Sequence, residues 1–305
     1  MGALHDGHLS LIRQAAEENA SVVVSIYVNP TQFGLNEDLD SYPKTWEKDV
    51  QLLTRLNEEL EAGATRGRIK AIFAPTTKTM YPTLPPTSDP AGQGSFVTIT
   101  PLGAMLEGAS RPVFFRGVTT VCMKLFSIIM PERVYFGQKD IQQTIVIRRM
   151  VKDFHLNTLV RVGPTAREED GLAMSSRNVY LGARRRKVAV TLRRALQAAE
   201  QAFINGDRRR TAILQSALEI VHSVASTQEK LSPRNRARFE VDYLSLADPD
   251  TLEEVEEVDV DRGAILSGAI KMQPVEDAHD GEICGLGGGT STVRLIDNII
   301  LEKAS

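Results

Sequence analysis

Several features are scarce in this 305-residue chain, and each scarcity excludes a class of protein. Only two cysteines occur, Cys122 and Cys284, so no disulfide framework is expected and a reducing compartment is the default. No apolar run is long enough for a membrane span, and no signal-peptide pattern opens the chain. The net charge of −3 provides no general attraction to nucleic acid or to anionic lipid. We therefore expect a cytoplasmic protein without a nucleic-acid or membrane partner.

The first half of the chain alternates short β-branched runs with amphipathic helical patterns. That alternation is typical of parallel βαβ units. Strands are predicted at residues 21–28, 71–74, 134–136 and 159–162, and helices at residues 9–20, 45–60, 117–130 and 140–154. We expect an α/β fold, with a Rossmann-like doubly wound parallel sheet over residues 1–177.

The pattern changes at about residue 178. Long helices are predicted at residues 184–204 and 211–226, followed by strands at residues 239–246, 264–270 and 293–301. We expect a smaller C-terminal α+β lid domain over residues 178–305, joined by a hinge near residues 177–180. The basic run at residues 184–187 is interpreted as a solvated helix face, and the glycine run at residues 285–289 as a flexible connector.

The most informative local feature is the segment His5-Asp6-Gly7-His8, which leads into an amphipathic helical pattern. Gly2 and Gly7 allow the backbone to approach a ligand, and the free amides and positive dipole end of the helix attract phosphate. Two imidazoles three residues apart can donate hydrogen bonds to phosphoryl oxygens as negative charge develops. The residues by themselves favour a nucleotide site.

Two other interpretations of these histidines stay open at this level. They could cap or pack the first helical turn, which for an arbitrary motif of this kind is as frequent as a functional role. They could also bind a metal, although no cluster of cysteine or histidine supplies the other ligands of a zinc site. No resident metal is expected.

Polar residues accumulate directly after the predicted strands. In open α/β sheets, ligands bind beyond the carboxyl ends of the strands. These positions hold the polar residues of 29–32, 137–140 and 166–177. The sequence therefore predicts a site at this edge of the sheet.

Five segments, in this order, resemble the pantothenate synthetase family: MGALHDGH, VNPTQF, LEGASRP with FRGV, YFGQKDIQQ and DGLAMSSRN. They cover the chain from Met1 to about Tyr180, and the later segments DYLSLAD and RLIDN are similar to the same family. The ordered set is much more specific than any one segment. It identifies the chain as a member of the H-x-G-H nucleotidyltransferase superfamily.

The resemblance implies an ATP-dependent ligase. Pantoate attacks the α-phosphate of ATP to give pantoyl adenylate and pyrophosphate, and β-alanine then displaces AMP to form pantothenate. Mg²⁺ is expected with the nucleotide, because triphosphate oxygens need a hard cation. The resemblance also implies a homodimer. Two alternatives stay open: another H-x-G-H adenylyltransferase, and a truncated, non-catalytic nucleotide-binding product.

The same resemblance implies roles for individual residues. His8 matches the family's proton-donor position, and the implied catalytic set is His8, His5, Lys139, Ser175 and Arg177. The implied ATP contacts are Met1, Gly2, His5, Gly7, His8, Gly137, Gln138, Lys139, Asp140, Ala166, Met174, Ser175, Ser176 and Arg177. The implied pantoate contacts are Gln32, Gln143, Asn29 and Arg111. Neutral amides suit pantoate because they bind its oxygens without quenching the nucleophile through an ion pair.

Some of these residues have simpler explanations when taken singly. Asp140 could cap the following helix, Lys139 could be an exposed charge, and Gln143 lies four residues from Lys139, as in an ordinary surface pair. Only the ordered motif set favours functional roles for them.

The chain also departs from the family pattern. Where many relatives have Arg-Pro-Gly-His-Phe, residues 111–115 read Arg-Pro-Val-Phe-Phe, so Phe114 carries no polar role and Arg111 is a weaker candidate. Segments near Arg66, Pro85 and Gly287 are longer than the compact bacterial pattern, which suggests a fungal member. Relatives carry a strand before the first motif, so we expect Met1 to be an internal methionine of that motif and the neighbouring strand edges to be unpaired.

Overall fold

The computed structural model describes residues 2–35, 37–63, 65–89 and 91–302. The chain divides into two compact units, Met1–Ala166 and Arg167–Ser305. This boundary precedes the one predicted after residue 177, and the reason is a set of polar bonds. Arg167 donates to the Asp297 carboxylate at 2.7 and 3.0 Å, and Asn178 donates to Glu168 at 2.6 Å. These bonds attach residues 167–178 to the second unit.

The helices and strands of the first unit follow the predicted alternation. Its helices are α1 (Asp6–Glu18), α2 (Trp46–Ala62), α3 (Thr77–Met80), α4 (Glu107–Ser110), α5 (Phe114–Ile129) and α6 (Ile141–Asp153). Its strands are β1 (Ser21–Ser25), β2 (Arg68–Phe73), β3 (Arg133–Gly137) and β4 (Leu159–Gly163). Each strand and helix predicted for this half is present with small shifts in its bounds, whereas the short helices α3 and α4 were not predicted.

The strands of the first unit are parallel. β1 pairs with β2, with Ser21 opposite Arg68, and β3 pairs with β4, with Arg133 opposite Leu159. Within the described ranges, hydrogen bonds join these strands in two pairs and not in one continuous sheet. Helix α1 contacts both β1 and β3. The core around α1 consists of apolar side chains from α1, β1 and α2: Leu9, Ile12, Ala16, Val22, Val24, Leu53, Leu56 and Leu60.

The second unit combines helices with an antiparallel sheet. Its helices are α7 (Gly182–Ala189), α8 (Thr191–Ile204) and α9 (Arg210–Glu229), and its strands are β5 (Phe239–Ala247), β6 (Ala264–Met272) and β7 (Val293–Leu301). The strands lie in the order β5–β6–β7. Helices α8 and α9 pack on the sheet through a core that includes Leu192, Leu196, Ile213, Leu246 and Leu266. The predicted α+β organisation is therefore present.

The helix predicted at residues 184–204 is interrupted at Val190, which corrects that prediction. Val190 has ψ −8°, and the Thr191 hydroxyl donates to the Val188 carbonyl at 2.6 Å. A side-chain hydroxyl that binds a nearby carbonyl competes with the regular helical amide bond. Hydrophobic periodicity does not reveal such a break because the apolar positions continue on both sides of it.

The basic run at residues 184–187 is only partly a solvated face, and the interpretation was wrong for Arg185. Arg185 is 1 % exposed, and its guanidinium donates to carbonyl oxygens at 2.5 to 3.4 Å, those of Tyr180, Leu181, Gln273, Cys284 and Ser291. Its neighbours Arg184 and Arg186 form ion pairs with Glu282 at 2.6 Å and Glu168 at 2.7 Å. The middle arginine therefore joins several backbone segments of the second unit.

Residues 285–289 form a packed turn, which we call the glycine turn. A Cβ on Gly285 would lie 2.4 Å from the Tyr180 carbonyl oxygen, and a Cβ on Gly182 would lie 2.4 Å from the Cys284 carbonyl carbon. The two backbones therefore approach too closely for larger residues. No helix within the described ranges is long and apolar enough to cross a membrane.

Candidate active site

Residues 2–8, which we call the histidine loop, run into the first turn of α1, which begins at Asp6. His5 is the N-cap residue, and its carbonyl accepts the amides of His8 at 2.8 Å and Leu9 at 3.1 Å. The His5 amide donates to His8 Nδ1 at 3.4 Å, and the two ring centroids are 4.0 Å apart. Both imidazoles therefore lie at the positive end of the α1 dipole, as the sequence predicted.

The environment keeps His8 neutral. Burial is the largest cause, and electrostatic interactions with His5 and Lys139 add to it, so the pKa of His8 is lowered from its ordinary 6.5 to about 2. Because Nδ1 accepts the His5 amide, the neutral ring carries its proton on Nε2. His8 is thus a neutral hydrogen-bond donor at physiological pH, and an anion bound beside it would raise its pKa.

The carboxyl end of β3 contributes a charged pair to the same region. Gly137 ends the strand, and a turn at Gln138–Asp140 leads into α6. Lys139 Nζ lies 3.5 Å from Asp140 Oδ2, and both side chains are partly exposed. The start of this segment faces α1, because a Cβ on Gly137 would lie 4.0 Å from Leu11 Cδ1. The structure therefore brings together the histidine loop and the GQKD segment.

The end of β4 contacts the histidine loop and α1. A Cβ on Gly7 would lie 3.3 Å from the Cβ of Ala166, so these two predicted ATP contacts are neighbours. A Cβ on Gly163 would lie 2.5 Å from Leu11 Cδ2 and 2.9 Å from Gln14 Oε1. Gly163 was not predicted from the sequence as a residue near the site. Its place directly after the strand predicted at residues 159–162 could have indicated it.

The segment after β1 holds Gln32 through a buried asparagine. Asn29 is 2 % exposed, and its amide donates to Gln32 Oε1 at 3.2 Å and to the Gly117 carbonyl at 3.1 Å. Its Oδ1 accepts the hydroxyls of Thr31 at 3.1 Å and Tyr81 at 2.7 Å. Asn29 therefore has protein partners on both ends of its amide and orients the Gln32 side chain.

Helix α5 supports this segment at a glycine that sequence reasoning did not assign to the site. A Cβ on Gly117 would lie 2.4 Å from the Thr31 carbonyl oxygen and 2.5 Å from the Gln32 amide nitrogen. The backbone that carries Gln32 therefore rests directly on α5. The histidine loop is nearby, because a Cβ on Gly2 would lie 3.2 Å from Val28 Cγ2, one residue before Asn29.

Arg111 is engaged by protein groups. Its guanidinium donates to Glu37 and Glu107 at 3.0 Å each and to the Gln32 carbonyl at 3.3 Å. It also lies 3.8 Å from the centroid of the Phe114 ring. Two carboxylates balance its charge, so the structure gives Arg111 a supporting position beside Gln32, and a contact with pantoate stays a prediction.

Helix α6 carries Gln143 and a second glutamine that the sequence did not single out. Gln143 is half-buried. Gln142 is 4 % exposed; its amide donates to the carbonyls of Leu102 at 2.9 Å and Met105 at 2.7 Å, and its Oε1 accepts the Glu107 amide at 3.1 Å. Gln142 therefore joins α6 to the LEGASRP segment. Gln143 is the next residue of α6 and is not used in these bonds.

The remaining predicted residues lie in the second unit or outside the described residues. Ser175 caps a short 3-10 helix, Ser176–Tyr180, and its Oγ accepts the Arg177 amide at 3.3 Å. Met174, Ser175, Ser176 and Arg177 are half-buried. Met1 lies outside the described residues. In the described part of the chain, no group of three His, Cys, Asp or Glu side chains could hold a metal ion.

Comparison with known proteins identifies the family. A profile of the Pantoate-beta-alanine ligase family matches residues 1–300. The chain belongs to this family. The pantothenate synthetase of Roseiflexus castenholzii is 44 % identical over 302 residues, which are 99 % of this chain and 90 % of that protein. That of Thermotoga neapolitana is 44 % identical over 259 residues, covering 85 % and 81 %.

Solved structures give the same result. The pantothenate synthetase of Thermus thermophilus superposes with a TM-score of 0.76 at 37 % identity, covering 98 % of this chain and 90 % of that one. The pantoate-beta-alanine ligase of Francisella tularensis, complexed with beta-gamma ATP and beta-alanine, has a TM-score of 0.63 at 29 % identity, covering 98 % and 87 %. The predicted α/β, Rossmann-like fold class is confirmed by these neighbours.

Proposed function

We propose that this chain joins (R)-pantoate to β-alanine, with ATP converted to AMP and pyrophosphate through a pantoyl-adenylate intermediate. One observation carries the proposal: the His5–His8 pair at the N-terminus of α1, within electrostatic reach of Lys139. An anion site of this kind, in a chain of the pantoate–β-alanine ligase family, suits a triphosphate.

In the first step, a pantoate carboxylate oxygen attacks the α-phosphorus of ATP. The bond from that phosphorus to the bridging oxygen breaks, and its electron pair leaves with pyrophosphate. Neutral His8 donates from Nε2 to a phosphate oxygen, and the phosphate charge raises the pKa of His8, so that it can act as the proton donor. Lys139 offsets charge on the departing group, and His5 adds a second imidazole.

In the second step, the amine nitrogen of β-alanine attacks the acyl carbon of the adenylate. The bond from that carbon to the AMP oxygen breaks, and the amine loses a proton as the amide forms. Gln32, oriented by Asn29, and Gln143 bind pantoate through neutral amides. Arg111 stays in the proposed pantoate set through its bond to the backbone of Gln32.

The proposed ATP site keeps the other residues of the matched motifs. They are Met1, Gly2, Gly7, Gly137, Gln138, Asp140, Ala166, Met174, Ser175, Ser176 and Arg177. Bound Mg²⁺ would neutralise triphosphate charge and orient the leaving group. Because magnesium keeps several waters and binds substrate phosphates, a site without a dedicated cluster of protein ligands is compatible with it. We propose a cytoplasmic homodimer.

Pantoate-dependent pyrophosphate release tests this proposal. Purified full chain with ATP and pantoate, but without β-alanine, is expected to release pyrophosphate, and addition of β-alanine to release AMP and form pantothenate. Pyrophosphate release that requires a different acid would indicate another H-x-G-H adenylyltransferase. ATP binding without turnover in a folded sample would indicate a non-catalytic nucleotide binder. Either result contradicts the proposed activity.

A further inference from the structure

A buried carboxylate binds the histidine loop from α2, a helix that is distant in sequence. Asp49 lies in the first turns of α2 and is 1 % exposed. Its Oδ1 accepts the Leu4 amide at 2.8 Å and the Thr45 hydroxyl at 2.9 Å. One oxygen atom of Asp49 therefore binds both the histidine loop and Thr45, the N-cap residue of α2.

The bonded amide of Leu4 directly follows a residue with an unfavourable backbone conformation. Leu4 immediately precedes His5, and Ala3 has φ +49°, a left-handed conformation that residues with a Cβ rarely adopt. The Leu4 side chain is 5 % exposed and belongs to the same apolar core as Leu53 and Leu56 of α2. Both the backbone and the side chain of Leu4 are thus fixed by α2, one residue before the N-cap of α1.

We propose that Asp49 is a positioning residue for the His5–His8 pair: by accepting the Leu4 amide, its Oδ1 sets the backbone that places both imidazoles at the N-terminus of α1. The effect comes from the acceptor atom, because both hydrogen bonds end on the same oxygen. An asparagine keeps such an oxygen. The consequence for catalysis rests on the proposed ligase function, whereas the consequence for histidine placement does not.

The proposal makes opposite predictions for two substitutions at one position. Asp49→Ala removes the acceptor and leaves a buried amide without its partner, whereas Asp49→Asn keeps the acceptor and removes only the charge. Glu47→Gln is the matched control, because Glu47 is an exposed acidic residue in the same first turn of α2. A general loss of favourable charge at the start of the helix would affect Asp49→Asn and Glu47→Gln alike.

The test measures the proton equilibrium of His8 by NMR, with the His8→Asn spectrum identifying its resonance among the five histidines. In the wild type and in Asp49→Asn, His8 is expected not to titrate between about pH 5 and 8, because its pKa is lowered to about 2. In Asp49→Ala, the His5–His8 pair is no longer held in place and water reaches His8. The midpoint of the His8 titration is therefore expected to rise into that pH range. This readout needs no ligase activity.

Pantoate-dependent pyrophosphate release is the second readout. Asp49→Ala is expected to lower kcat about 10- to 100-fold through misplacement of the imidazoles, and Asp49→Asn and Glu47→Gln are expected to stay within about threefold of wild type. If Asp49→Ala does not fold, Asp49→Ser, which is too short to reach the Leu4 amide, replaces it. Unchanged His8 titration in the acceptor-free variant, or an equal loss in Asp49→Asn, would overturn the proposal.

Discussion

The histidine loop and the glycine turn are two glycine-containing segments held in different ways. In the histidine loop, a buried carboxylate, Asp49, accepts one backbone amide. The glycine turn is held at its two flanks, where the buried guanidinium of Arg185 donates to the carbonyls of Cys284 at 3.4 Å and Ser291 at 2.7 Å. Each of these charged residues lies on a helix that is distant in sequence from the bonded backbone: Asp49 on α2 from Leu4, and Arg185 on α7 from Cys284. Asp49 accepts an amide inside its segment, whereas Arg185 donates to carbonyls on either side of its segment.

The element that comes after each segment explains the difference in their chemistry. The histidine loop runs into the 13-residue helix α1, so the positive end of the helix dipole lies at the loop. The glycine turn leads into Thr290 and then β7. Gly287 and Gly288 have φ +75° and +66°, and a Cβ on either would meet nothing within 4 Å. Gly287 and Gly288 therefore supply conformation, whereas Gly285 in the same turn and Gly7 in the loop allow a close approach.

The largest expected effect is a loss of activity that occurs on substitution in the histidine loop and not in the glycine turn. His8→Ala should lower the rate of pantoate-dependent pyrophosphate release by about 10²–10⁴-fold, because the proposed proton donor is lost. Thermal unfolding should change little, since His8 lies outside the apolar core around α1. Gly287→Ala in the glycine turn is the control and should keep its rate. Near-normal turnover of His8→Ala would remove His8 from its proposed role.

The second expected effect concerns stability. Arg185→Met should lower the free energy of unfolding by about 3 kcal/mol, because several buried carbonyls lose their donor. Urea unfolding of the full chain measures this. Lys187→Met, at an exposed position of the same basic run, should stay within about 0.5 kcal/mol of wild type. Equal effects of the two substitutions would mean that the buried guanidinium does not stabilise the backbone segments that it joins.

A third substitution compares a crowded glycine with an open one. Gly117→Ala places a Cβ 2.4 Å from the Thr31 carbonyl oxygen, so the segment that carries Gln32 must move. We expect KM for pantoate to rise about tenfold, which corresponds to about 1.4 kcal/mol. Gly287→Ala should instead cost about 1 kcal/mol of stability through its positive φ, with no change in KM. A normal KM for Gly117→Ala would argue against α5 as the support of Gln32.

The smallest expected effect is a pH dependence that arises in the histidine loop. The pKa of folded His8 is lowered to about 2, so below its ordinary value of 6.5 the unfolded chain binds a proton that the folded chain does not. Stability should therefore fall as the pH falls. Between pH 7.5 and 5.5 the loss from one such group is about 1 kcal/mol. In urea titrations His8→Asn should lose less than the wild type; an identical pH dependence would mean that His8 is not buried as a neutral ring.

Local patterns predicted most of the elements and the family, and long-range contacts account for what they missed. The periodicity of residues 9–20 and 45–60 corresponds to α1 and α2, because one apolar face of each helix enters the core. The break at Val190 depends on a hydroxyl bond at Thr191, and the boundary at Ala166 depends on Arg167 meeting Asp297. Neither contact leaves a periodic signal in the sequence.

By itself, the sequence determined the α/β class, the order of the helices and strands, and the family, since these depend on local periodicity and on ordered motifs. The tertiary structure decided that Arg185 is buried, that Gly117 lies against the Gln32 segment, and that Asp49 holds the loop before His5. The physical reason is the distance along the chain. A hydrogen bond across 45 residues, such as that from Leu4 to Asp49, exists only when the fold brings the histidine loop and α2 together.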